Sequence, residues 1–292
     1  MWQTRQTQSA PERRGPRIRW RLGGAVLSFA LLLWGGCTLH MDDAPADAVL
    51  GKPPCLSAPS DAVFVGNSYI TGFLSPPLQP ALGALYPTAN AFRNYAVPGT
   101  AMATGGIGLI PPQFDLALIE NPRVKLAILE GGGNDILLCD LFRFPGCDTL
   151  CSQAGSSHAD VCTDIVAAAV AGAGQLMARM AQAGVRDVVY FFYPHIPASG
   201  GGYAEILDYA RPLMAQQCEV EAVATGGRLT CHFIDLVPPF AAAGGDMNPA
   251  NFSTLDGVHP SDSGEAIVAG EIWSTMQAGC LGQPASSGCC AP

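Results

Sequence analysis

The chain has 292 residues, of which 49% are hydrophobic, and carries 15 basic against 24 acidic side chains. This hydrophobic content suffices for a sizeable core, and the length fits one domain of about two hundred residues behind an N-terminal leader. A net charge of −9 without a basic cluster in the domain argues against a phosphate-binding surface, so we expect no nucleic-acid partner.

The first 37 residues have the organisation of an export leader. Six arginines precede residue 22, and an apolar run over residues 22–36 ends at Cys37. A run of this length is typical of a signal peptide and short for a membrane span. Gly35 and Gly36 before Cys37 resemble a bacterial lipoprotein cleavage site, which predicts lipidation at Cys37 and membrane association through the N-terminus. An uncleaved anchor and a plain secretory signal are the alternatives.

The chain contains 11 cysteines. A lipid on Cys37 would leave ten, and an even number in an exported chain indicates disulfides formed in an oxidising compartment. The candidate pairs are Cys218 with Cys231, and Cys55 with one of Cys280, Cys289 and Cys290. Connectivity stays open at this point, because sequence alone does not determine it.

Residues 38–60 are rich in Asp, Ala and Pro without hydrophobic periodicity, which predicts a flexible tether. The domain is predicted over residues 61–280, followed by a C-terminal tail over residues 281–292. Continuous apolar runs in the domain predict strands covered on both faces, as in a parallel sheet. These runs are Ala62–Val65, Ala91–Val97, Val124–Leu129, Asp187–Tyr193 and Leu229–Leu236.

Helical patterns separate the later strands, at residues 163–183, 203–223 and 262–277. The first has Thr163 as its expected N-cap and stops at Gly184, the residue type favoured just past a helix end. Alternating strands and helices imply βαβ crossovers, and therefore a three-layer α/β/α sandwich around a parallel sheet. Ligand sites in such sheets lie at the carboxyl ends of the strands.

The segment of residues 139–162 interrupts this alternation with four cysteines among Gly, Ser and Asp. We interpret it as a disulfide-stapled insertion. His158 beside Cys162 would also be compatible with zinc, but the paired C-x-x-C or C-x-x-H spacing is absent, so we expect no metal. A partner-binding module in this segment is an open alternative.

Two segments carry residue types suited to nucleophilic catalysis. Ser68 ends the turn Gly66-Asn67-Ser68 directly after the first predicted strand, where a serine can present its hydroxyl above the sheet. Asp256 and His259 stand three residues apart before the last predicted helix. Acyl transfer by serine needs a base for the hydroxyl proton and a carboxylate that orients the base. In isolation, the serine turn is also an ordinary turn, and His259 could simply cap the helix.

Two glycine-containing segments follow the second and third predicted strands. In Pro98-Gly99-Thr100 the glycine permits close approach of backbone to a ligand. The run Gly131–Gly133 precedes Asn134, whose amide could donate to a developing oxyanion. A simple turn and a plain Gly-rich loop are the competing interpretations. We expect Asp135 to hold its loop and His195 to line the cleft or close a turn, neither acting as a catalyst.

Together, in order and spacing, the four segments resemble the consensus blocks of the SGNH (GDSL-type) hydrolase superfamily over about residues 61–278. The residues that match blocks I, II, III and V are Ser68, Gly99, Asn134 and the pair Asp256 and His259. One departure is visible, because Asn67 stands where the GDSL motif has aspartate. The triad draws its acid from beside the histidine, so this change removes no triad member.

The resemblance implies the superfamily's flavodoxin-like fold and a serine ester hydrolase that forms an acyl-enzyme on Ser68. It implies an oxyanion hole made by the backbone N–H groups of Ser68 and Gly99 and the side chain of Asn134. His259 would be the general base and Asp256 would orient it, with no cofactor.

Carboxylic esters are the implied substrates: lipid or short-chain acyl esters, or O-acetylated carbohydrate. We expect substrate choice to depend on residues 100–123, 137–162 and 194–204, because loops beside the site usually determine it. The alternative function is a catalytically silent surface binding lipoprotein that keeps the fold. That alternative is favoured only if Ser68 and His259 do not approach each other.

Overall fold

The computed structural model describes residues 55–142, 151, 160–197 and 202–290. The expectations for the leader of residues 1–37, for lipidation at Cys37 and for residues 38–54 lie outside the described residues. The same holds for His158 and for most of the cysteine-rich segment.

Seven strands are described, and five of them form one parallel sheet. The strands are β1 (Ala62–Val65), β2 (Arg93–Asn94), β3 (Thr100–Ala101), β4 (Gly108–Leu109), β5 (Leu126–Glu130), β6 (Asp187–Phe192) and β7 (Thr230–Asp235). The sheet has the order β2-β1-β5-β6-β7, while β3 and β4 pair separately. Every residue of β1, β5 and β6 is buried, as the continuous apolar runs predict for strands covered on both faces.

Eight α-helices are described between and after these strands. They are α1 (Ser68–Thr71), α2 (Leu78–Leu85), α3 (Pro111–Glu120), α4 (Gly133–Phe142), α5 (Asp160–Gln182), α6 (Gly202–Ala224), α7 (Val237–Ala242) and α8 (Asp262–Gly279). Helices α2 and α8 pack against each other, and α5 packs against α6. Right-handed crossovers place these two pairs on opposite faces of the sheet. The strand order is that of doubly wound flavodoxin-like sheets, which confirms the predicted three-layer α/β/α sandwich.

Two element boundaries differ from the sequence prediction. The predicted strand of residues 91–97 contains only the two residues of β2, because Pro87–Ala91 form a 3₁₀ turn. Backbone hydrogen bonds from Tyr95 and Val97 nevertheless continue along β1. Helix α5 begins at Asp160 and not after an N-cap at Thr163, whose hydroxyl donates back to the Asp160 carbonyl at 2.9 Å within the first turn.

The two ends of the described chain are joined by disulfides Cys55–Cys290 and Cys280–Cys289. The Leu56 N–H donates to the Gln283 carbonyl at 3.0 Å, and the side chains of Leu56 and Leu281 are buried. Residues 55–60 are therefore packed against the domain, where the sequence predicted a tether up to residue 60. The segment from residue 281 to Cys290 belongs to the same packed unit and is not a separate tail.

Two further disulfides, Cys218–Cys231 and Cys151–Cys162, lie inside the domain. The first was a candidate pair from the sequence and is confirmed. The second confirms a disulfide within the cysteine-rich segment. Helix α4 extends to Phe142, so the first residues of that segment continue a helix where the sequence predicted the start of an insertion.

Helix α5 is long and apolar enough to cross a membrane by length and composition alone. Its buried residues include Val166, Ala169 and Leu176, which belong to the hydrophobic core. We therefore interpret α5 as a core helix of the sandwich.

Candidate active site

The turn after β1 places Ser68 at the carboxyl edge of the sheet. Ser68 is the first residue of α1, and the Asn67 side chain caps this helix by accepting from the Tyr69 N–H at 3.0 Å. Such a cap compensates a helix-end N–H group that lacks an intrahelical partner. The cap fixes the direction in which the chain leaves the strand, and with it the position of the Ser68 side chain.

Gln113 of α3 holds this turn through two hydrogen bonds to Gly66. Its amide group accepts from the Gly66 N–H and donates to the Gly66 carbonyl, both at 2.8 Å. Residue 66 has to be glycine, since a Cβ there would lie 2.8 Å from the Glu130 carbonyl oxygen. The backbone just before Ser68 is therefore held on both its polar groups and has no room for a side chain.

Ser68, His259 and Asp256 form one hydrogen-bonded line. The Ser68 hydroxyl oxygen lies 2.7 Å from His259 Nε2, and His259 Nδ1 lies 2.5 Å from Asp256 Oδ2. The second oxygen of Asp256 accepts from the N–H groups of Val258 at 2.9 Å and His259 at 3.1 Å. One nitrogen of the imidazole thus faces a hydroxyl and the other faces a carboxylate, which is the arrangement of a general base with its orienting acid.

The carboxyl of Asp256 is ionised under ordinary conditions. Burial raises its pKa, but hydrogen bonds from the Val258 N–H and from the His259 ring and N–H outweigh burial, so the pKa lies below the usual value. Side chains of His259 and Asp256 are mostly shielded from solvent. An ionised acid in this position stabilises an imidazolium and holds the histidine in the tautomer that leaves Nε2 free to accept a proton.

Asn134 and Gly99 lie on neighbouring segments at the same edge. Asn134, at the start of α4, donates through Nδ2 to the Thr100 carbonyl at 2.9 Å, and so is tied to the residue after Gly99. Gly99 has φ +75°, a left-handed conformation that favours glycine. Among the described residues, neither the backbone N–H of Ser68 nor that of Gly99 donates to an acceptor. These donors and the second Nδ2 hydrogen of Asn134 are available to a ligand.

Tyr193 connects the serine turn with Asn134. Its hydroxyl accepts from Asn67 Nδ2 at 3.1 Å and donates to Asn134 Oδ1 at 3.5 Å. By occupying the oxygen of Asn134, this donor orients the amide so that Nδ2 points away from it. A Cβ on Gly133 would fall within the Tyr193 ring, so the glycine makes room for this side chain. Sequence reasoning missed Tyr193; its place just past β6, at the carboxyl edge, was the available signal.

Asp135 holds the backbone beyond Gly99, as expected. Its carboxylate accepts from the N–H groups of Met102, Ala103 and Thr104, each at 2.7 Å. Burial raises the pKa of Asp135 to about 6, against the opposing effect of these three donors. The residue is therefore mainly ionised at neutral pH, and it fixes the loop that carries Thr100 against α4.

Glu130 supplies a physical reason for Asn67. Glu130 is fully buried at the end of β5, and its Oε2 accepts from the Asn67 N–H at 3.3 Å. Burial raises the pKa of Glu130 to about 8, although hydrogen bonds from Asn67 oppose the rise. An aspartate at position 67 would place a second carboxylate beside this buried acid and could not donate to Tyr193. Asparagine avoids both costs.

His195 lies away from the serine, in a cluster of its own. Its Nδ1 is 2.7 Å from Asp246 and its Nε2 is 2.8 Å from Asp208, while Arg211 pairs with Asp208 and with Asp235. Both ring nitrogens are thus engaged by carboxylates. The arrangement closes the loop after β6 onto α6, in keeping with the expectation that His195 is not a catalyst.

The described part of the chain contains no group of three or more His, Cys, Asp or Glu side chains that could hold a metal ion. The cysteines at 55, 151, 162, 218, 231, 280, 289 and 290 are all in disulfides. The polar groups at the carboxyl edge are arranged as a hydroxyl, a base, an acid and a set of N–H donors.

Solved structures similar to this fold include several esterases. A catalytic mutant of an acetylxylan esterase from Geobacillus stearothermophilus aligns with a TM-score of 0.51 at 15% identity, over 78% of this chain and 95% of that chain. A carbohydrate acetylesterase family member from Sinorhizobium meliloti gives 0.48 at 14% identity, over 75% and 97%. The aryl esterase of M. smegmatis gives 0.45 at 12% identity, over 75% and 98%.

No protein-family model matches the chain. No curated protein matches it either. At these identities the structural similarity shows the fold alone. The chain shares its α/β/α fold with the acetylxylan esterase from Geobacillus stearothermophilus, in agreement with the fold that the sequence resemblance implied.

Proposed function

We propose that this protein is a serine ester hydrolase that forms an acyl-enzyme on Ser68. The observation that carries the proposal is the unbroken line from the Ser68 hydroxyl through His259 to Asp256, with separations of 2.7 and 2.5 Å. Serine is a weak nucleophile at its ordinary pKa and needs an adjacent base that is itself oriented by a third group. All three parts are present in hydrogen-bonding distance.

In the proposed mechanism, Ser68 Oγ attacks the ester carbonyl carbon while His259 Nε2 takes the hydroxyl proton. The negative charge that develops on the carbonyl oxygen is stabilised by the N–H groups of Ser68 and Gly99 and by Asn134 Nδ2. The imidazolium then gives its proton to the leaving alcohol oxygen as the carbon–oxygen bond breaks. Water, activated by the same histidine, releases the acid and restores Ser68. Asp256 stays ionised throughout.

The proposed substrates are carboxylic esters, either lipid or short-chain acyl esters or O-acetylated carbohydrate, and the mechanism uses no cofactor. We also propose that the protein is exported, because the disulfides of the described residues form in oxidising compartments. Lipidation at Cys37 with membrane association through the N-terminus is part of this proposal, and nucleic acid is not a proposed partner.

The alternative of a silent surface binding lipoprotein required Ser68 and His259 to lie apart. Their 2.7 Å separation supports the hydrolase instead. A binding protein has no need for an ionised acid, an oriented imidazole and a serine hydroxyl in line.

The test is hydrolysis of p-nitrophenyl acetate by the purified chain with its disulfides intact, beside Ser68→Ala and the control Ser57→Ala. Ser57 is an exposed serine, and its hydroxyl makes no hydrogen bond within the part of the chain that the structure describes. We expect Ser68→Ala to lower kcat by at least about a thousandfold and Ser57→Ala to leave it unchanged. Equal turnover by wild type and Ser68→Ala would refute the proposal.

A further inference from the structure

One tyrosine joins the segment that carries the serine to the segment that carries the histidine. Tyr69 follows Ser68 in α1, and its side chain is buried. Its backbone N–H donates to the Asn67 side chain at 3.0 Å, and its hydroxyl donates to the Val258 carbonyl at 2.7 Å. Val258 lies 189 residues further along the chain. Tyr69 is therefore fixed to the serine turn by its backbone and to the segment of the proposed base by its hydroxyl.

The acceptor of this hydrogen bond belongs to the peptide group that leads into His259. The Val258 carbonyl and the His259 N–H are the two polar groups of one planar peptide bond. The carbonyl accepts from Tyr69, and the N–H donates to Asp256 Oδ1 at 3.1 Å. Because the group is planar, it cannot rotate without breaking one of these two hydrogen bonds. They therefore determine the position from which the His259 side chain leaves the backbone.

Few hydrogen bonds could replace the one from Tyr69. Within the part of the chain that the structure describes, two hydrogen bonds join α1 to residues 253–259: the Tyr69 bond and the bond between Ser68 and His259. The second one involves the reacting groups themselves. In the proposed acyl-enzyme, the Ser68 oxygen carries the acyl group and has no proton to donate to His259. Of the two hydrogen bonds, only the Tyr69 bond then remains.

The Tyr69 ring is also held in place by its neighbours. Its centroid lies 4.2 Å from that of Tyr193, edge-on, and 6.0 Å from that of His259. The Tyr193 hydroxyl in turn contacts Asn67 and Asn134. Burial raises the pKa of Tyr69 well above its ordinary value, so the hydroxyl keeps its proton and acts as a donor. These properties suit a residue that positions others and does not itself transfer a proton.

Resting on the proposed function, we infer that Tyr69 is a positioning residue that keeps His259 in place while Ser68 carries the acyl group. During acylation, the Ser68 hydroxyl itself aligns the imidazole. During deacylation, His259 must activate water without that hydrogen bond. Removal of the Tyr69 hydroxyl should therefore slow deacylation more than acylation. The role differs from that of Tyr193, whose hydroxyl contacts the proposed oxyanion donor Asn134.

The experiment compares wild type, Tyr69→Phe and Tyr86→Phe with p-nitrophenyl acetate, using the full chain with its disulfides intact. Tyr69→Phe keeps the ring and removes only the hydroxyl. Tyr86 is the matched control, because it is also buried and its hydroxyl donates to the Gly282 carbonyl at 2.8 Å. Gly282 adjoins Leu126, the first residue of β5, so this hydrogen bond lies at the amino edge of the sheet, opposite the site.

Two quantities separate acylation from deacylation. The value of kcat/KM, from release of p-nitrophenolate, reports the steps up to acylation of Ser68. The ratio of acetylated to unacetylated chain is measured by mass spectrometry after acid quenching at saturating substrate. It equals the acylation rate constant divided by the deacylation rate constant. We expect Tyr69→Phe to raise this ratio about tenfold and to change kcat/KM by less than about threefold, whereas Tyr86→Phe should change neither.

Thermal unfolding controls for a purely structural effect. Each variant loses one buried hydrogen bond from a tyrosine hydroxyl to a carbonyl, so both should lower Tm by a similar amount. A loss of stability that the two variants share cannot explain a ratio that changes in only one of them.

The other outcomes overturn the inference. A ratio in Tyr69→Phe equal to that of wild type would mean that Tyr69 does not hold the base during deacylation. A lower kcat/KM with an unchanged ratio would mean that acylation and deacylation suffer equally, and would assign Tyr69 a general structural role. Either result leaves the proposed function standing, provided that peptide mapping finds the acetyl group on Ser68. If it finds none on Ser68 in wild type or in Tyr69→Phe, the acyl-enzyme is rejected and the inference fails with it.

Discussion

Two histidines at the carboxyl edge of the sheet are each hydrogen-bonded to aspartate, yet only His259 has the arrangement that the proposed base requires. His259 has Asp256 on Nδ1 and the Ser68 hydroxyl on Nε2. His195 has Asp246 on Nδ1 and Asp208 on Nε2. The difference is the partner of the second nitrogen, and it decides whether the ring can accept a proton from a reacting group.

The two carboxylates beside His195 favour its protonated form. Burial lowers its pKa, but the hydrogen bonds to Asp208 and Asp246 outweigh burial and leave the pKa above its ordinary value. A protonated imidazole donates from both nitrogens and has no lone pair left for a substrate proton. Proximity to a carboxylate is therefore a poor sign of a catalytic histidine unless the other nitrogen is free to face a hydroxyl.

The largest expected effect separates the two histidines directly. His259→Gln should lower kcat for p-nitrophenyl acetate at least about a thousandfold, because His259 is the only group in the described part of the chain that is hydrogen-bonded to the Ser68 hydroxyl. His195→Gln should stay within about threefold of wild type. Steady-state kinetics at pH 7.5 measures kcat of both variants. A similar loss in the two variants would contradict the proposed difference between His259 and His195.

Substitutions of the two aspartates beside these histidines, Asp256 and Asp246, should differ in their effect on kcat in the same way. Asp256→Asn keeps the shape of the side chain but removes the charge that stabilises the imidazolium, so we expect kcat to fall about a hundredfold to ten-thousandfold. Asp246→Asn, the matched change beside His195, should leave kcat nearly unchanged. The pH dependence of kcat/KM, recorded for both variants, checks that the loss is not a displaced optimum. An active Asp256→Asn enzyme would mean that Asp256 only shapes its loop.

A pair of buried tyrosines extends the comparison to groups that position the oxyanion donors. Tyr193→Phe removes the hydroxyl that joins Asn67 to Asn134, and should lower kcat about threefold to tenfold with little change in KM. Tyr190→Phe is its control, since the Tyr190 hydroxyl is also in the core and donates to the Gly131 carbonyl at 2.8 Å, with no hydrogen bond to Asn67 or Asn134 among the described residues. Equal kcat values for the two variants would reject a positioning role for Tyr193.

The smallest effect concerns stability and pH. The pKa of His195 is raised in the folded state. Its contribution to the free energy of unfolding is therefore complete below the unfolded pKa of about 6.5, and it is lost as the pH rises through the folded pKa. The pKa of Asp208 is lowered, because hydrogen bonds from His195 and Arg211 outweigh burial. The contribution of Asp208 to the free energy of unfolding is therefore lost as the pH falls below about 4.

Urea unfolding of wild type and His195→Gln should therefore differ most near pH 5 to 6 and converge near pH 9. The difference should stay below about 1 kcal/mol, as for exposed ion pairs. A gap that widens towards pH 9 would have the wrong sign for this assignment.

The sheet and the hydrogen-bonded line of Ser68, His259 and Asp256 could be predicted from the sequence for identifiable reasons. Buried parallel strands are recognisable as apolar runs, and Ser68, Asp256 and His259 stand in short local patterns next to them. The short β2 was harder, because its neighbours at residues 95–97 pair through separate hydrogen bonds without forming a regular strand.

The supporting residues could not be predicted in the same way. Gln113 and Tyr193 act on the serine turn from 47 and 126 residues away in sequence, so their role depends on tertiary packing that no local pattern encodes. The sequence offered Cys290 as one of three candidate partners of Cys55, and the three-dimensional structure selects it and brings residues 55–60 into the domain.

The most direct test of the central claim is reaction with diethyl p-nitrophenyl phosphate, which phosphorylates an activated serine and releases p-nitrophenolate. Mass spectrometry of the intact chain and of its peptides should show one diethylphosphoryl group, located on Ser68, in wild type and in His195→Gln. No label should appear in Ser68→Ala, and labelling should be at least about a hundredfold slower in His259→Gln. Labelling of another residue, or equal rates with and without His259, would contradict the account.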